Sequence, residues 1–351
     1  IQMQKTSQKK PSSHTSAKVA IVMPVYNTGR YLTECLDSLL KQSYKNFVVF
    51  CVNDGSTDES PQILNQYSEQ DPRLVVIHKS NGGASSARNL ALRAIKSDGS
   101  FDFVGFVDSD DSVTDDFIET FVSTLIEEEA DYCVCSYKTY NTEKVTKSGI
   151  AKYGKTYLDN IRAIQHFCHV AQFENYPSNL CMTTRFFKTS LIGSEEFNES
   201  LKATEDQDFI IRVLIKSQKG VLIPNILYLY RQRSSSLSHS PTKSTVESSF
   251  LFAKLLLGNS SRDYPKEIRK ALEFRVCTCW WQEARRAYIR GDVKERAIIK
   301  DFWLFVKKNC DISALPSKYK KRFFIFNCGE CITNIYFKLF EKKAKIDRMF
   351  E

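Results

Sequence analysis

The apolar positions between residues 18 and 140 repeat in two alternating spacings. Nearly continuous apolar runs are typical of strands buried on both faces, whereas apolar residues three and four apart are typical of one helix face. The runs predict strands over residues 19–23, 47–52, 74–77, 103–107 and 132–136. The helical spacing predicts helices over residues 30–42, 60–69, 85–95 and 115–128. This alternation predicts a doubly wound, mainly parallel α/β sheet covered by helices.

The pattern loosens after residue 140. It predicts, in order, a helix over residues 158–173, a strand over 182–187, a helix over 205–216, a strand over 220–230 and a serine-rich loop over 231–241. Helical spacing then continues almost without a break from residue 245. We therefore expect an α/β domain over residues 18–240 and a helical C-terminal unit over 245–351. Residues 1–17 are polar and lack periodicity, so we interpret them as a disordered lead-in.

Polar and glycine-rich clusters directly follow the first four predicted strands. They are Pro24-Val25-Tyr26-Asn27, Asn53-Asp54-Gly55-Ser56-Thr57-Asp58, Asn81-Gly82-Gly83 and Asp108-Ser109-Asp110-Asp111. Ligands of doubly wound sheets bind beyond the carboxyl ends of the strands, where loops and helix N-termini gather. The sequence therefore predicts a ligand site at this edge of the sheet.

Composition narrows the choice of partners only slightly. The 351 residues carry a formal net charge of +9, and lysines and arginines are concentrated near both ends of the chain. A basic balance suits nucleic acid, an anionic lipid or a phosphorylated substrate, and charge alone does not distinguish them. No apolar run is long enough to span a membrane, so we expect that this sequence does not cross one.

The eleven cysteines are scattered through predicted strands and helices. The pairs Cys133/Cys135, Cys277/Cys279 and Cys328/Cys331 each lack a second pair at the spacing of a zinc site. We interpret them as reduced thiols that pack in the core.

Asp108, Asp110 and Asp111 place three carboxylates at the end of an apolar strand. Their mutual repulsion is costly there unless a cation or hydrogen-bond donors offset it. Hard oxygen ligands suit Mn²⁺ or Mg²⁺ shared with substrate phosphates. A cluster of N-terminal helix caps before Phe117 is the alternative interpretation.

Two other loops offer groups that suit a nucleotide. Asp54 could accept a hydrogen bond from a base, and Gly55 would let the backbone approach it. Gly83 precedes a helix that carries Arg88, which together form a plausible anion site. A turn with a helix cap explains the same residues locally. The glycine patterns of phosphate-loop ATPases and dinucleotide-binding proteins are absent.

The ordered set of these motifs resembles the large bacterial family of inverting GT-A glycosyltransferases called family two. The set continues with Glu205-Asp206 and Tyr230-Arg231-Gln232-Arg233, so the resemblance covers about residues 18 to 240. The order of the motifs is far more specific than any one of them.

The resemblance implies a role for each motif residue. Pro24, Tyr26 and Asp54 would line the nucleobase pocket, and Arg88 would lie near the base or the diphosphate. Val25 and Gly83 would also contact the donor. Asp108, with Ser109 beside it, would hold the ribose and the metal shell, and Asp110 would bind Mn²⁺ or Mg²⁺. Asp206 falls where the family keeps its catalytic base, with Asp208 as its rival, and Glu205 would orient the acceptor or the loop.

The expected reaction needs a base, a cation and basic side chains. A carboxylate opposite the leaving group can deprotonate the attacking hydroxyl, while a cation and nearby basic groups stabilise the departing nucleoside diphosphate. A single displacement inverts the anomeric carbon. Acidic residues at a helix start also favour the helix dipole, which is the competing explanation for Glu205, Asp206 and Asp208.

The segment from Tyr230 to His239 combines positive charge with hydroxyl groups. We expect Arg231 and Arg233 to contact the donor from a mobile lid, although an exposed basic loop fits the segment equally. The resemblance also implies His239 as a metal ligand. The Gln-x-x-Arg-Trp motif of processive synthases is absent, so we expect addition of one sugar at a time.

The C-terminal region interleaves basic and aromatic residues from Lys318 to Phe340. Such a stripe could lie on an anionic membrane surface, where lipid-linked acceptors reside. Packing on the catalytic domain or formation of a homodimer would explain it as well.

We therefore expect an inverting, metal-dependent hexosyl- or N-acetylhexosaminyltransferase that moves a single sugar from a UDP-sugar to a glycan or lipid-linked acceptor. It would act in lipopolysaccharide or capsule biosynthesis, in the cytoplasm or at the inner face of the membrane, without a nucleic-acid partner. The alternatives are a sugar nucleotidyltransferase and a non-catalytic protein that binds glycan or lipid.

Overall fold

The computed structural model describes residues 16–140, 145–149, 154–170, 180–232, 243–258 and 263–329, together with 332, 333, 335–337 and 339. The chain divides into two compact units. The first comprises the described parts of residues 1–160, 179–197 and 212–233, and the second those of 161–178, 198–211 and 234–351. The second unit therefore takes in two segments that precede the predicted boundary at residue 240.

The predicted lead-in lies mostly outside the described residues. Ala17, which the sequence assigned to it, is buried, and its carbonyl oxygen accepts a hydrogen bond from the Tyr44 hydroxyl. Ala17 therefore belongs to the packed part of the first unit.

One mixed sheet forms the centre of the first unit. Its strands are β1 (Val19–Val25), β2 (Phe47–Asp54), β3 (Leu74–Lys79), β4 (Phe103–Phe106), β5 (Ser112–Val113), β6 (Tyr132–Tyr140), β7 (Val145–Gly149), β8 (Thr156–Leu158), β9 (Arg185–Lys188) and β10 (Gly220–Arg231). Their order is β3-β2-β1-β4-β9-β6-β10-β5, with β7 beside β6 and β8 beside β10.

The first four strands of this order are parallel, as predicted. The expectation of a mainly parallel sheet needs correction beyond β4, because β9 is antiparallel to both β4 and β6. β10 is parallel to β6 but antiparallel to β5 and β8. Alternation with helices predicts only parallel crossovers, and the short strands β5, β7, β8 and β9 lie outside that alternation.

The helices in chain order are α1 (Gly29–Leu40), α2 (Ser60–Gln70), α3 (Ala84–Asp98), α4 (Phe117–Glu127), α5 (Asn160–Phe167), α6 (Thr189–Ile192), α7 (Glu205–Leu214), α8 (Lys243–Leu256), α9 (Lys266–Arg290), α10 (Val293–Asn309) and α11 (Ser317–Asn327). Two predicted elements differ from the structure. The helix expected from residue 158 begins only at Asn160, because Leu158 pairs with Gly220 in the sheet. The strand expected from residue 182 begins as a 3-10 turn over Met182–Thr184.

The sheet is covered on both faces. Alternate residues of β1, including Ile21 and Met23, pack in the core beside α1 and α4, while α3 packs against β1 and β2 on the other side. Phe121 of α4 stacks on Phe186 of β9 with ring centroids 4.3 Å apart. This packing fixes the carboxyl ends of β1, β2 and β4 along one edge.

The second unit is helical, as predicted for the C-terminal region. Trp280 of α9 is fully buried and its Nε1 donates to the carbonyl oxygen of Ile299 at 3.1 Å. The rings of Trp303 and Phe323 pack around it, with centroids 4.6 Å and 5.2 Å away. In the described part of the chain, no helix has the length and apolar character needed to cross a membrane.

Candidate functional site

The loops after β1 and β2 are joined by hydrogen bonds. Asn27, with a positive φ of 50°, accepts a bond from the Thr57 amide at 2.8 Å, and its own amide donates to Ser56 Oγ at 3.0 Å. The Gly29 amide donates to Asp58 Oδ2 at 2.9 Å. Burial raises the pKa of Asp58, but hydrogen bonds from Ser60 and Gly29 outweigh it, so the net pKa is lowered. Hydrogen bonds therefore hold the two predicted loops together.

Asp54 connects the loops after β2 and β3. Its buried carboxylate accepts the amides of Gly82 and Gly83 at 2.9 Å and 2.7 Å, and pairs with Lys79 Nζ at 2.5 Å. Gly55 has a φ of +71°, and a Cβ there would lie 2.8 Å from the Asn81 nitrogen. Glycine is therefore needed both for the backbone angle and for the close approach. Sequence reasoning missed Lys79, which ends β3 without any motif.

The residues at the end of β1 differ in exposure. Val25 is fully buried, so its side chain packs in the core. Tyr26 is 51% exposed, which leaves its ring able to cover a nucleobase. The predicted contacts of Pro24, Val25 and Tyr26 with a donor stay predictions.

An ion pair between Arg88 and Asp108 joins α3 to the turn after β4. Arg88 is buried on α3, lies over the Phe197 ring, and places Nη2 3.1 Å from Asp108 Oδ1. The Asp108 side chain is still 36% exposed. Ser109 is buried, and its Oγ lies 2.9 Å from Thr28 Oγ1 in a hydrogen bond. The turn that follows β4 is thus bonded to α3 and to the loop after β1.

Asp111 differs from the two aspartates with which the sequence grouped it. It is fully buried; Tyr228 donates its hydroxyl hydrogen to Oδ2 at 2.6 Å, and the Arg231 amide donates to Oδ1 at 2.7 Å. Burial, with the charges of Asp110 and Asp108, raises its pKa well above the ordinary value. Asp111 therefore holds the turn against β10 and is not presented to solvent.

Only Asp108 and Asp110 of the predicted carboxylate cluster are partly exposed. Within the described ranges, no three His, Cys, Asp or Glu side chains are grouped so as to hold a metal ion. Two carboxylates on one turn fit a hard cation that takes its remaining ligands from a diphosphate and water. His239, the expected third ligand, and Arg233 lie outside the described residues.

Arg231 ends β10 beside this turn and is buried. Its guanidinium pairs with Glu34 Oε2 at 2.6 Å, and its Nε donates to the Asp110 carbonyl oxygen at 2.9 Å. The rings of Tyr31 and Tyr140 lie 5.1 Å and 4.6 Å from its guanidinium carbon. Sequence reasoning missed these partners: Tyr31 and Glu34 share a face of α1, but nothing in their spacing indicates that this face meets β10.

The predicted base lies in the second unit, at the start of α7. Glu205 and Asp206 are partly exposed, whereas Asp208 is buried and its amide donates to the Thr204 carbonyl at 3.0 Å. Thr204 has a positive φ of 69°, which is rare for a residue other than glycine. The roles of Glu205 and Asp206 stay predictions.

The sequence matches known proteins over much of its length. Residues 20–179 match the family described as Glycosyl transferase family 2. GlyG of Streptococcus pneumoniae serotype 4 is 32% identical over 226 residues, which cover 63% of this chain and 73% of GlyG. The putative glycosyltransferase EpsH of Bacillus subtilis is 30% identical over 276 residues, covering 76% and 77%. The match to GlyA of S. pneumoniae, at 34% identity, covers 63% of this chain but only 31% of GlyA.

Solved structures share the fold at lower identity. S. aureus TarS 1–349 in complex with UDP-GlcNAc has a TM-score of 0.66 and 22% identity, covering 86% of this chain and 82% of that one. The mannosyltransferase PcManGT from Pyrobaculum calidifontis, in complex with GDP-Man and Mn²⁺, has a TM-score of 0.50 and 16% identity, covering 95% and 88%. The matches to GlyG and EpsH place this chain in glycosyl transferase family 2, and the protein is a glycosyltransferase with the GT-A fold.

Proposed function

We propose that this glycosyltransferase moves one sugar, with inversion, from a UDP-sugar to an acceptor hydroxyl of a bacterial surface glycan. The observation that carries the proposal is the turn Asp108-Ser109-Asp110, which follows β4 and is bonded to the loop after β1, to α3 and to the end of β10. UDP is favoured because TarS, a structural neighbour, was solved with UDP-GlcNAc. A surface glycan is favoured because the relatives include poly(ribitol-phosphate) transferases.

Asp108 and Asp110 would hold a divalent cation against the donor diphosphate, with Arg88 close to Asp108. When bound, Mn²⁺ or Mg²⁺ would offset the negative charge that grows on the departing nucleoside diphosphate. Arg88 is buried with Nη2 beside Asp108, so it would fix the position of Asp108 and contribute positive charge there. Tyr26 would cover the base, and Asp54 would keep the loops around it closed.

Asp206 would accept the proton of the attacking hydroxyl. Its exposure supports this choice over Asp208, because a base must reach a proton on the acceptor and Asp208 is buried. Glu205 would orient the acceptor. Attack by this hydroxyl oxygen from the side opposite the diphosphate would form the new bond to the anomeric carbon as the bond to the diphosphate oxygen breaks, which inverts that carbon in one step.

The test is a donor-hydrolysis screen across nucleotide sugars with Mn²⁺, followed by transfer assays with the donor that is cleaved. Excess chelator should stop turnover, and Asp206→Asn should abolish transfer while leaving donor affinity nearly intact. Glu205→Gln serves as the control and should retain partial transfer. Loss of transfer in Asp208→Asn, with activity kept in Asp206→Asn, would show that the base is misassigned.

The products separate this proposal from its rival. Release of nucleoside diphosphate supports glycosyl transfer, and release of pyrophosphate from a nucleoside triphosphate and a sugar phosphate would indicate a nucleotidyltransferase. Turnover that continues unchanged in excess chelator would contradict the proposed role of the cation, but not the proposed glycosyl transfer.

We further propose that the C-terminal end of the second unit contacts an anionic membrane surface. Phe323 and Phe337 pack inward, but several apolar side chains of the same region are exposed: Phe324, Ile332, Ile335 and Leu339. Lys320 and Lys321 are exposed on α11 next to Phe324. Exposed apolar residues with flanking lysines suit the interface of an anionic bilayer, where a lipid-linked acceptor would be reached.

A further inference from the structure

The backbone just before α7 is bonded to Ser248 of α8. The Ser248 hydroxyl accepts the amides of Lys202 and Ala203, each at 3.0 Å, and donates to the Ala203 carbonyl oxygen at 2.6 Å. Ser248 is buried. A hydroxyl has one hydrogen and two lone pairs, so these three bonds use its whole hydrogen-bonding capacity. One small side chain therefore fixes two consecutive residues of the chain that leads to Asp206.

The first turn of α7 is bonded to Arg275 of α9. Arg275 is buried, and its Nε and Nη2 both donate to Gln207 Oε1, at 2.9 Å and 2.5 Å. Its Nη1 donates to Thr278 Oγ1 at 3.2 Å. A forked, charge-assisted contact fixes both the distance and the direction of the amide that it holds. Gln207 is the immediate neighbour of Asp206.

The backbone between these two anchors is strained. Thr204 has a φ of +69°, a conformation that costs free energy in a residue with a Cβ and persists where the surroundings impose it. It lies between Ala203, held by Ser248, and Gln207, held by Arg275. The strained residue and both anchors directly flank Glu205 and Asp206, and all of them belong to the second unit.

We propose that Ser248 and Arg275 are positioning residues for Asp206, so that the C-terminal helices form part of the catalytic apparatus. This inference rests on the proposed role of Asp206 as the base. Neither residue touches the acceptor in this account; each acts through the backbone or side chain that it holds. The helical unit thereby sets the direction in which the Asp206 carboxylate meets the acceptor hydroxyl.

The test compares Gln207→Ala, Arg275→Lys and the double variant with wild type in steady-state transfer, donor hydrolysis and thermal unfolding. We expect each single variant to lower kcat for transfer by on the order of 10-fold to 100-fold, because misplacement of a reacting group by about 1 Å can cost that much. KM for the donor should stay within about twofold, because the donor loops belong to the first unit. The double variant should be no slower than the slower single variant, because Arg275 acts through Gln207.

Arg286→Lys is the matched control, since Arg286 lies on the same helix and is hydrogen-bonded to Glu283 of that helix. It should keep wild-type kcat. Ser248→Ala tests the other anchor in the same assays and should also lower kcat. If an Arg275 variant does not fold, Gln207→Ala still gives the result, because it removes the amide that Arg275 holds and leaves Arg275 itself in place.

The outcomes separate this inference from the proposed function. If Asp206→Asn keeps transfer, the proposed base is wrong. If Asp206→Asn is inactive but Gln207→Ala and Arg275→Lys keep wild-type kcat, the positioning inference is wrong, even where the melting temperature falls. Purely multiplicative losses in the double variant, or a rise in donor KM without a change in kcat, would also overturn it.

Discussion

The guanidinium of Arg231 lies 2.6 Å from Glu34 Oε2, and its Nε donates to the Asp110 carbonyl oxygen at 2.9 Å. The hydrogen bond holds the turn that would bind the cation, and the ion pair joins Arg231 to α1. Lysine keeps the charge of arginine but lacks the planar fork that makes both contacts. We therefore expect Arg231→Lys to lose about as much donor kcat/KM as Arg231→Gln, roughly 10-fold or more in each case.

The measurement is kcat/KM for the donor across a Mn²⁺ titration, and both variants should need more Mn²⁺ for half-maximal rate. Arg93→Lys is the control, because Arg93 forms an exposed ion pair with Glu196. Nearly full activity in Arg231→Lys, with loss only in Arg231→Gln, would mean that Arg231 acts through its charge as a diphosphate ligand.

The raised pKa of Asp111 gives stability a definite dependence on pH. Burial, with the charges of Asp110 and Asp108, makes the folded protein hold this proton more tightly than the unfolded chain does. The stabilisation is complete below the ordinary pKa of 3.8 and is lost as the pH rises from there towards the raised value. The advantage of wild type over Asp111→Asn in free energy of unfolding should therefore shrink as the pH rises.

Denaturant unfolding between about pH 3 and pH 8 measures this difference. Asp58→Asn is a control of opposite sign. Burial raises the pKa of Asp58, but hydrogen bonds lower it by more, so the net pKa lies below the ordinary value. Its contribution is present above pH 3.8 and is lost as the pH falls through the lowered value. Parallel pH curves for the two variants would contradict the assignment of Asp111.

Gly55→Ala should destabilise the protein and weaken donor binding. An alanine Cβ would lie 2.8 Å from the Asn81 nitrogen and would also occupy a φ of +71°. Gly99→Ala is a closely matched control, since Gly99 has the same φ of +71° with its nearest neighbour 4.0 Å away. We expect a loss of about 1 kcal/mol for Gly99→Ala and roughly 2 to 4 kcal/mol for Gly55→Ala.

Thermal or chemical unfolding gives the two stabilities, and equilibrium titration with UDP gives the affinity. Gly99→Ala should bind UDP as wild type does, because Gly99 caps the far end of α3. Equal losses of stability in the two variants would show that the second and third loops can separate without cost.

The exposed apolar side chains of the C-terminal region should drive binding to vesicles. Phe324 is 69% exposed, and replacement of Phe324 and Ile335 by serine should reduce partitioning to phosphatidylglycerol-containing vesicles by about tenfold or more. Leu304→Ser is the control, because Leu304 is 59% exposed on α10. Co-sedimentation measures the effect. Unchanged partitioning would refute the membrane proposal, and a concentration-dependent dimer lost in the double variant would assign the same residues to self-association.

Much of the first unit could be predicted because its signals are local. The alternation of apolar runs with helical spacing correctly predicted β1 to β4 and α1 to α4 within a few residues. The rule that loops gather at the carboxyl ends of parallel strands led to the convergence of four motifs. Such predictions succeed where a helix connects each strand to the next and the connected strands lie in one parallel sheet.

The rest depends on contacts between distant segments. Asp108, Asp110 and Asp111 look alike in the sequence, but only Asp111 is buried, because Tyr228 and Arg231 reach it from β10 more than a hundred residues later. The same reason explains why the sequence did not predict that Lys79 pairs with Asp54 or that Arg275 bonds to Gln207. A lysine at the end of β3 or an arginine within α9 shows no pattern that identifies what it contacts.

The grouping of residues 198–211 with the C-terminal helices has a consequence for protein engineering. A chimera joined near residue 240 would pair the turn before α7 with foreign helices. Such a hybrid would keep every donor-site motif and yet lose Ser248 and Arg275, unless the incoming helices carried equivalents at the same places. Exchange of acceptor specificity between relatives would therefore require both segments to be transplanted together.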